Sequence, residues 1–434
     1  MRRTFRAVSD TSSLLALLKS RSVAFLAAAR LNSSAGDGFG QIALAWGTFR
    51  LGYGPGGLAL VLACRAVPAL LVLAGGALGD RFRRHMVLAG SEALAAVIWT
   101  ALAVCFLSGR APLALLCVLA GVSGLERPLF MPALRSIVVD LVPGEDRQRA
   151  NALLGQADAA GLLLGLALSG VTAAAVGPAW AAALKAGSGV IGVLVLSRLD
   201  TCAWGGERRG FLGDLRAGWR EFSSCQWAWV LTLQFTAVAV AVSTFMGVVG
   251  PSSMSHVHGG ARTWGIVAGC EAFGALVGAF VAARWSPSRP LLVAVLLPAS
   301  AAGPMLLLGG GVPWPVLAVA MLVPGACQTV YFVLWFTSVQ HHFHPRMLAR
   351  INSWGLLGTY ALTPVTLVAA GSITTAIGAR NTAILCGLLV FTATAMATCS
   401  PQVRRFRTSP DKIADHGERE EQGDSGGVSA ERVR

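Results

Sequence analysis

The sequence predicts an all-α integral membrane protein with twelve transmembrane helices in two six-helix halves. Three observations predict it. Over 434 residues the chain is 54% hydrophobic and 13% charged, with a mean hydropathy of +0.63. A soluble domain carries roughly 25% charged residues, and a chain with half that share finds its natural solvent in lipid. Twelve apolar runs are long enough to cross a bilayer, which takes about 20 residues. The basic residues gather on one side of those runs, as they do in the cytoplasmic loops of membrane proteins.

The runs are residues 23–49, 56–79, 86–108, 112–140, 151–176, 178–197, 226–250, 263–284, 290–310, 313–339, 351–376 and 380–400. Gly and Pro punctuate the gaps, as in Gly52-Tyr53-Gly54-Pro55, Gly177-Pro178 and Ser286-Pro287-Ser288-Arg289-Pro290. The apolar stretch from Val23 to Ala29 meets Arg30 and reads as the start of the first span, not as a cleavable signal. With a cytoplasmic amino terminus, the segments on the opposite side hold only Arg50, Arg110, Arg262 and Arg380 of the 35 Lys and Arg. Arg30, Arg65, Arg127, Arg135 and Lys185 fall inside spans, and all the rest are cytoplasmic. The asymmetry places both termini in the cytoplasm of a multi-pass plasma (inner) membrane protein and requires an even number of spans. It also accounts for the net charge of +14 without nucleic acid as a partner.

The expected organisation is a cytoplasmic N-terminal segment at 1–22, a six-helix half at 23–197, a charged cytoplasmic linker at 198–225, a second half at 226–400 and a disordered cytoplasmic tail at 401–434. The tail is polar and poor in aromatics, which leaves it too little apolar surface to fold. The 51 glycines suit close helix approach in lipid. The nine cysteines are scattered singly and read as small packing residues. His256 and His258, and the group His341, His342 and His344, have no nearby Cys or carboxylate in the sequence, so no metal or other cofactor is expected.

The halves echo each other. Gly76-Ala77-Leu78-Gly79-Asp80 and Gly278-Ala279-Phe280-Val281-Ala282 follow the second and eighth spans, while Arg149-Ala150-Asn151 and Arg350-Ile351-Asn352 open the fifth and eleventh. Parallel repeats of this kind occur in transporters that rock around a central site. Gly76, Asp80, Arg81 and Arg84 also match the signature of the major facilitator superfamily between spans two and three, with Arg83 where the second Gly of the signature stands. Residues 32–38, Leu141 to Leu153 and Gly177 to Trp180 resemble, more narrowly, the branch of the enterobactin exporter and the macrolide-efflux proteins. The resemblance covers about residues 15–400 and implies the twelve-helix major facilitator fold, with spans one, four, seven and ten lining a cavity. A carboxylate at a helix end can cap a neighbouring amino terminus. Asp80 could do so at span eleven, and Arg81 and Arg84 could pair with Asp140, closing a cytoplasmic gate. The alternative is a solvated basic loop. Gly161, Gly165 and Gly170 keep the glycine spacing of span five in the antiporters but lack the proline.

Ionisable groups at mid-bilayer are costly and default to functional candidates. Asp37, Glu126 and Arg127 lie in spans one and four and are the leading substrate- or proton-binding residues, with Asp158 in span five behind them. Burial favours the neutral form of a carboxylate, which suits it to carrying a proton. A structural pair, such as Asp37 with Arg127 or Arg30, is the competing account. Lys185 and Glu271 read as structural, and Arg65 as snorkelling or paired. Trp46, Gln234, Phe235, Phe245, Gln328, Tyr331, Phe332 and Trp335 could meet a flat or greasy compound, although such residues more often pack.

No nucleotide-binding or hydrolase motif occurs, so no enzyme is expected and the energy source is an ion gradient. The resulting expectation is a monomeric secondary transporter, a proton-coupled exporter of a small amphiphilic molecule by alternating access. An importer of the same fold and a non-transporting sensor or scaffold are the alternatives. The topology has a direct test. Membrane-impermeant thiol labelling of intact cells should reach a cysteine placed in the 251–262 loop and leave Cys202 unmodified, and labelling of Cys202 would reverse the orientation.

Overall fold

The structure, a computed structural model, describes residues 20–71, 84–126, 130, 137–138, 147–198, 225–255, 259–285, 287–342 and 348–402. Among them lie twelve helical columns and no strand. Helix α1 is Arg21–Arg50. Helix α2 is Pro55–Ala66, tightening into a 3-10 turn at Val67–Leu71. Then follow α3, Arg84–Ser108, α4, Leu113–Ser123, α5, Arg147–Ala175, and α6, Pro178–Leu196. In the second half, α7 runs Gln226–Thr244, widens into a π turn at Phe245–Val249 and ends with Gly250–Met254. Helix α8 is Gly260–Arg284. Helix α9 comprises Pro290–Leu296, the 3-10 turn Leu297–Ala301 and Ala302–Gly309. Helix α10 is Trp314–His342. The final stretch, Leu348–Thr398, divides at Gly378 into α11 and α12.

Local chemistry sets these boundaries. Pro55, Pro178 and Pro290 each stand in a first helical turn, where a missing N–H costs nothing. Gly378 has φ 84°, a conformation open to glycine, so one residue separates two helices where the sequence suggests a loop at 377–379. Helix α7 continues past its expected end at 250. Pro251 cannot donate to the preceding turn, and the widened turn lies just before that break. The tail, expected to be disordered from 401, starts ordered: the Trp227 N–H donates to Gln402 Oε1 at 3.2 Å.

Among the described residues eight helices are long and apolar enough to cross a membrane. The shorter apolar helices α2 and α4 run up to residues outside that set. Helix α1 is long but less apolar, because Arg30, Asn32, Ser33, Ser34 and Asp37 lie along it. Large apolar side chains such as Leu107, Val118, Leu194, Leu233, Val319 and Met396 face outward on many columns. In water such a belt would drive association, whereas in lipid it is solvated.

The apolar core divides by depth. One large cluster joins both halves at the bundle end farther from the termini, bringing Leu44, Trp99, Phe106 and Leu166 together with Phe245, Trp264, Met305 and Leu317. Toward the termini the core splits. Val23, Leu26, Leu88, Phe130, Leu154 and Leu196 pack within the first half alone, and Trp227, Leu231, Val295, Tyr331 and Trp335 within the second. The halves therefore meet at the far end and separate, among the described residues, at the end carrying the termini.

Glycines make that junction. A Cβ at Gly170 would lie 3.0 Å from Gly265 Cα and 2.8 Å from the Ala261 carbonyl oxygen, so α5 and α8 touch backbone to backbone. A Cβ at Gly371 would lie 3.1 Å from Gly56 Cα, which brings α11 against α2 in the same way. Within the first half, a Cβ at Gly165 would collide with the Ala35 backbone of α1, whereas one at Gly187 would meet open space. Gly165→Ala should therefore cost about 1–3 kcal/mol and lower the melting temperature in detergent, while Gly187→Ala should leave it unchanged. Equal melting of the two variants would contradict this packing.

Candidate functional site

In the first half the gap between the two apolar clusters is filled by polar side chains at one depth. On α1 the interval holds Arg30, Ser33, Ser34 and Asp37. On α3 it holds Ser91 and Glu92, and on α5 Asp158. On α6 it holds Lys185 and Ser188, and Glu126 follows α4. Ionisable groups at such a depth persist where they satisfy one another.

Lys185 is the centre of this layer. Its side chain is 0% exposed, and Nζ lies 3.0 Å from Asp37 Oδ1 and 2.6 Å from Glu126 Oε1. Both contacts are charge-assisted hydrogen bonds from the ammonium. The carboxylates are 15% and 8% exposed, so the cation is sealed while Asp37 keeps an open edge. Glycine makes room for the long stem, since a Cβ at Gly36 would lie 2.9 Å from Lys185 Cδ. Asn32 Nδ2 donates to the Ser188 carbonyl at 2.7 Å and fixes the register of α1 on α6.

A second pair lies nearer the termini. Arg30 Nη2 is 2.7 Å from Asp158 Oδ1, the Ser34 hydroxyl donates to the same oxygen, and the guanidinium sits 5.5 Å from the Phe130 ring centroid. The Asp158 side chain is 44% exposed, which makes it the more accessible acid. Arg65 lies over Trp99 at 5.7 Å, a cation–π contact. Glu271, on α8, is half-buried and has neither an ion pair nor a side-chain hydrogen bond among the described residues.

The structure thus brings Asp37 and Glu126 together, through Lys185, which the sequence reading had assigned a structural role. It pairs Arg30 with Asp158 and not with Asp37. Arg127 lies outside the described residues, as do Gly76, Asp80, Arg81, Asp140, His256 and His258. Arg84 opens α3, but its side chain lies outside them, as do those of His341 and His342. Sequence reasoning missed Glu92, which is fully buried against the same Lys185. Its signal was present: a carboxylate inside an apolar run satisfies the rule that singled out Asp37.

The second half contributes aromatics. Phe235 of α7 stacks on Tyr331 of α10 at 5.1 Å, Phe332 meets both edge-on at 5.4 and 5.6 Å, and Trp227 meets Trp335 at 6.0 Å. Beside them Gln234 Nε2 donates to the Val295 carbonyl at 2.6 Å and to Thr394 Oγ1 at 3.1 Å, and its Oε1 has no partner. Phe245 instead packs on Trp264, and Trp46 on Phe49, both toward the far end. A cavity of about 580 Å³ at that end is lined by Trp46, Phe49, Arg50, Val176, Pro178 and Ser255 and does not reach the polar layer.

A family model described as Major Facilitator Superfamily matches residues 23–362. Among solved structures, a bacterial homologue of the human lysosomal transporter Spinster, inward-facing and unoccupied, superposes with a TM-score of 0.64 at 16% identity over 90% of this chain and 99% of that one. The nucleoside transporter NupG gives 0.65 at 10% identity over 89% and 99%. A bacterial metal transporter gives 0.61 at 16% over 87% and 98%. No curated protein sequence matches.

The Lys185 cluster predicts a stability pattern. Lys185→Met takes the ammonium from Glu126 and Asp37 and should cost about 3–5 kcal/mol. Adding Asp37→Asn and Glu126→Gln to Lys185→Met removes the stranded charges and should restore most of the melting temperature. A single Lys185→Met variant that melts like the wild type would refute the pairing.

Proposed function

The chain belongs to the major facilitator superfamily, and from that premise we propose that it is a proton-coupled exporter of a small amphiphilic molecule, a drug, siderophore or secondary metabolite, working by alternating access in the plasma (inner) membrane. The observation that carries the reading is the Lys185 cluster. It lies at mid-depth, beside the seam between two halves that, among the described residues, share an apolar core at the end farther from the termini. A site so placed gains water in one arrangement of the halves and loses it in the other. Its proton affinity then differs between the two states, and that difference couples a proton gradient to movement of the cargo.

The excess of basic residues supports a cytoplasmic position for the end carrying the termini. An arrangement open there is common to importers and exporters, so the export reading leans on the exporter-like stretches of the sequence. The cargo class rests on the two kinds of wall. Polar, net acidic side chains on the first half suit a polar or cationic group, and the Phe235, Tyr331 and Phe332 cluster on the second suits an apolar ring. The likeness of residues 32–38, 141–153 and 177–180 to the enterobactin and macrolide exporters supports the same class. Fold likeness does not select a cargo, since the similar structures include both a nucleoside and a metal transporter.

The test uses the protein in vesicles, with the compound that builds up in cells when the gene is removed. With a pH gradient imposed, the wild type should accumulate it and a protonophore should abolish accumulation. Asp37→Asn and Glu126→Gln should each lower gradient-driven accumulation about tenfold or more, equivalent to ~1.4 kcal/mol of lost coupling, while retaining downhill exchange. If both variants still concentrate the compound, the Lys185 cluster does not couple the proton to the cargo.

A further inference from the structure

Glu92 holds a position that the ion pairs of this site leave unexplained. It lies within α3 and is fully buried, and neither carboxyl oxygen has a partner in good hydrogen-bonding geometry, although the Ser33 hydroxyl lies close to it. The groups that face it are Lys185 from α6, Glu126 beyond α4, and Asp37 and the Ser33 hydroxyl from α1. Two glycines on the Lys185 face of α6 admit it. A Cβ at Gly189 would lie 2.8 Å from the Glu92 carbonyl oxygen, and one at Gly192 would lie 2.9 Å from its Cδ and Oε2. Gly189 and Gly192 follow Lys185 by one and two helical turns, so acid and ammonium share one side of α6. A third carboxylate has thus been built into the pocket of a lysine whose hydrogen bonds already go to two others.

We infer that Glu92 is the proton-holding residue of this site, and that Lys185 discharges it by exchanging partners. The inference rests on the proton-coupled reading above. In the arrangement observed, Lys185 gives its hydrogen bonds to Asp37 and Glu126, and Glu92 stands as the neutral acid, because a further ionised carboxylate without an ion-pair partner at this depth is too costly. When cargo takes Asp37 or Glu126, the ammonium loses counter-charge and turns toward Glu92. The O–H bond of Glu92 breaks, the proton passes to water admitted at the open edge of Asp37, and the resulting carboxylate becomes the partner of Lys185. A singly positive cargo group enters as one proton leaves, so the charge of the site is conserved.

Infrared spectroscopy of the full-length protein in lipid vesicles tests this without any cargo. A Glu271→Gln background removes the other embedded glutamate that lacks a described partner. At neutral pH that protein should show the carbonyl stretch of a protonated carboxylic acid, shifted by 13C labelling of glutamate and missing after Glu92→Gln. If Glu92→Gln does not fold, Glu92→Asp takes its place, since its acid band no longer shifts with labelled glutamate. In Asp37→Asn/Glu126→Gln, where Lys185 has lost both partners, the band should vanish, because Lys185 now holds Glu92 as a carboxylate. No labelled band in the background protein overturns the inference, and so does a band that persists in the double variant. Loss of proton-driven transport by the wild type would instead defeat the proposed function and leave this spectrum unchanged.

Discussion

An ammonium sealed at mid-bilayer depth cannot stand alone, and much of the first half is arranged around that constraint. Lys185 reaches Asp37 on α1 and Glu126 beyond α4, so three columns are held at one depth by one cation. The close helix approaches follow from it. Gly36 clears the lysine stem, and Gly189 and Gly192 let α3 come near enough for Glu92 to share the pocket. A larger residue at any of these positions would separate the helices whose contact keeps the charge paired. Polar recognition and small-residue packing are here two aspects of the same requirement.

The division of the core gives the charge cluster its setting. The far-end apolar cluster crosses between the halves, while the two clusters near the termini each stay within one half. The polar layer of the first half lies at the transition. A relative motion of the halves about the Gly170–Gly265 and Gly371–Gly56 contacts would change the surroundings of this layer more than those of the cores on either side. Packed cores shift between discrete arrangements more readily than they deform continuously, so the cluster sits where a change of arrangement is felt.

The architecture was legible because lipid imposes a length. A run of about 20 apolar residues has few other uses, and the basic residues mark the sides. What escaped were the departures from regular helices. The single-residue break at Gly378 leaves no loop composition to read, and the π turn before Pro251 has no periodic signature. The site was legible in kind and not in pairing. Asp37 and Glu126 announce themselves as carboxylates inside apolar spans, but their partner is a lysine 148 positions from Asp37 along the chain, which only the packing of α6 reveals. Arg30 shares a face with Asp37 on α1, yet it pairs with Asp158 across to α5, because the tight α1–α5 contact places that carboxylate nearer. Glu92 was overlooked although the rule that found Asp37 applies to it equally.

The break at Gly378 bears on how the chain is assembled. During insertion, every polar residue between two antiparallel spans must be carried through the hydrocarbon, and a long loop raises that barrier. Between α11 and α12 the connection is one glycine, with Arg380 and Asn381 already inside the following helix. The Asn381 amide is satisfied locally by the Ile377 carbonyl at 2.9 Å, which lowers the cost of its passage. Helices α11 and α12 can thus enter the bilayer as a single hairpin, which leaves their closing onto the rest of the second half to lateral docking.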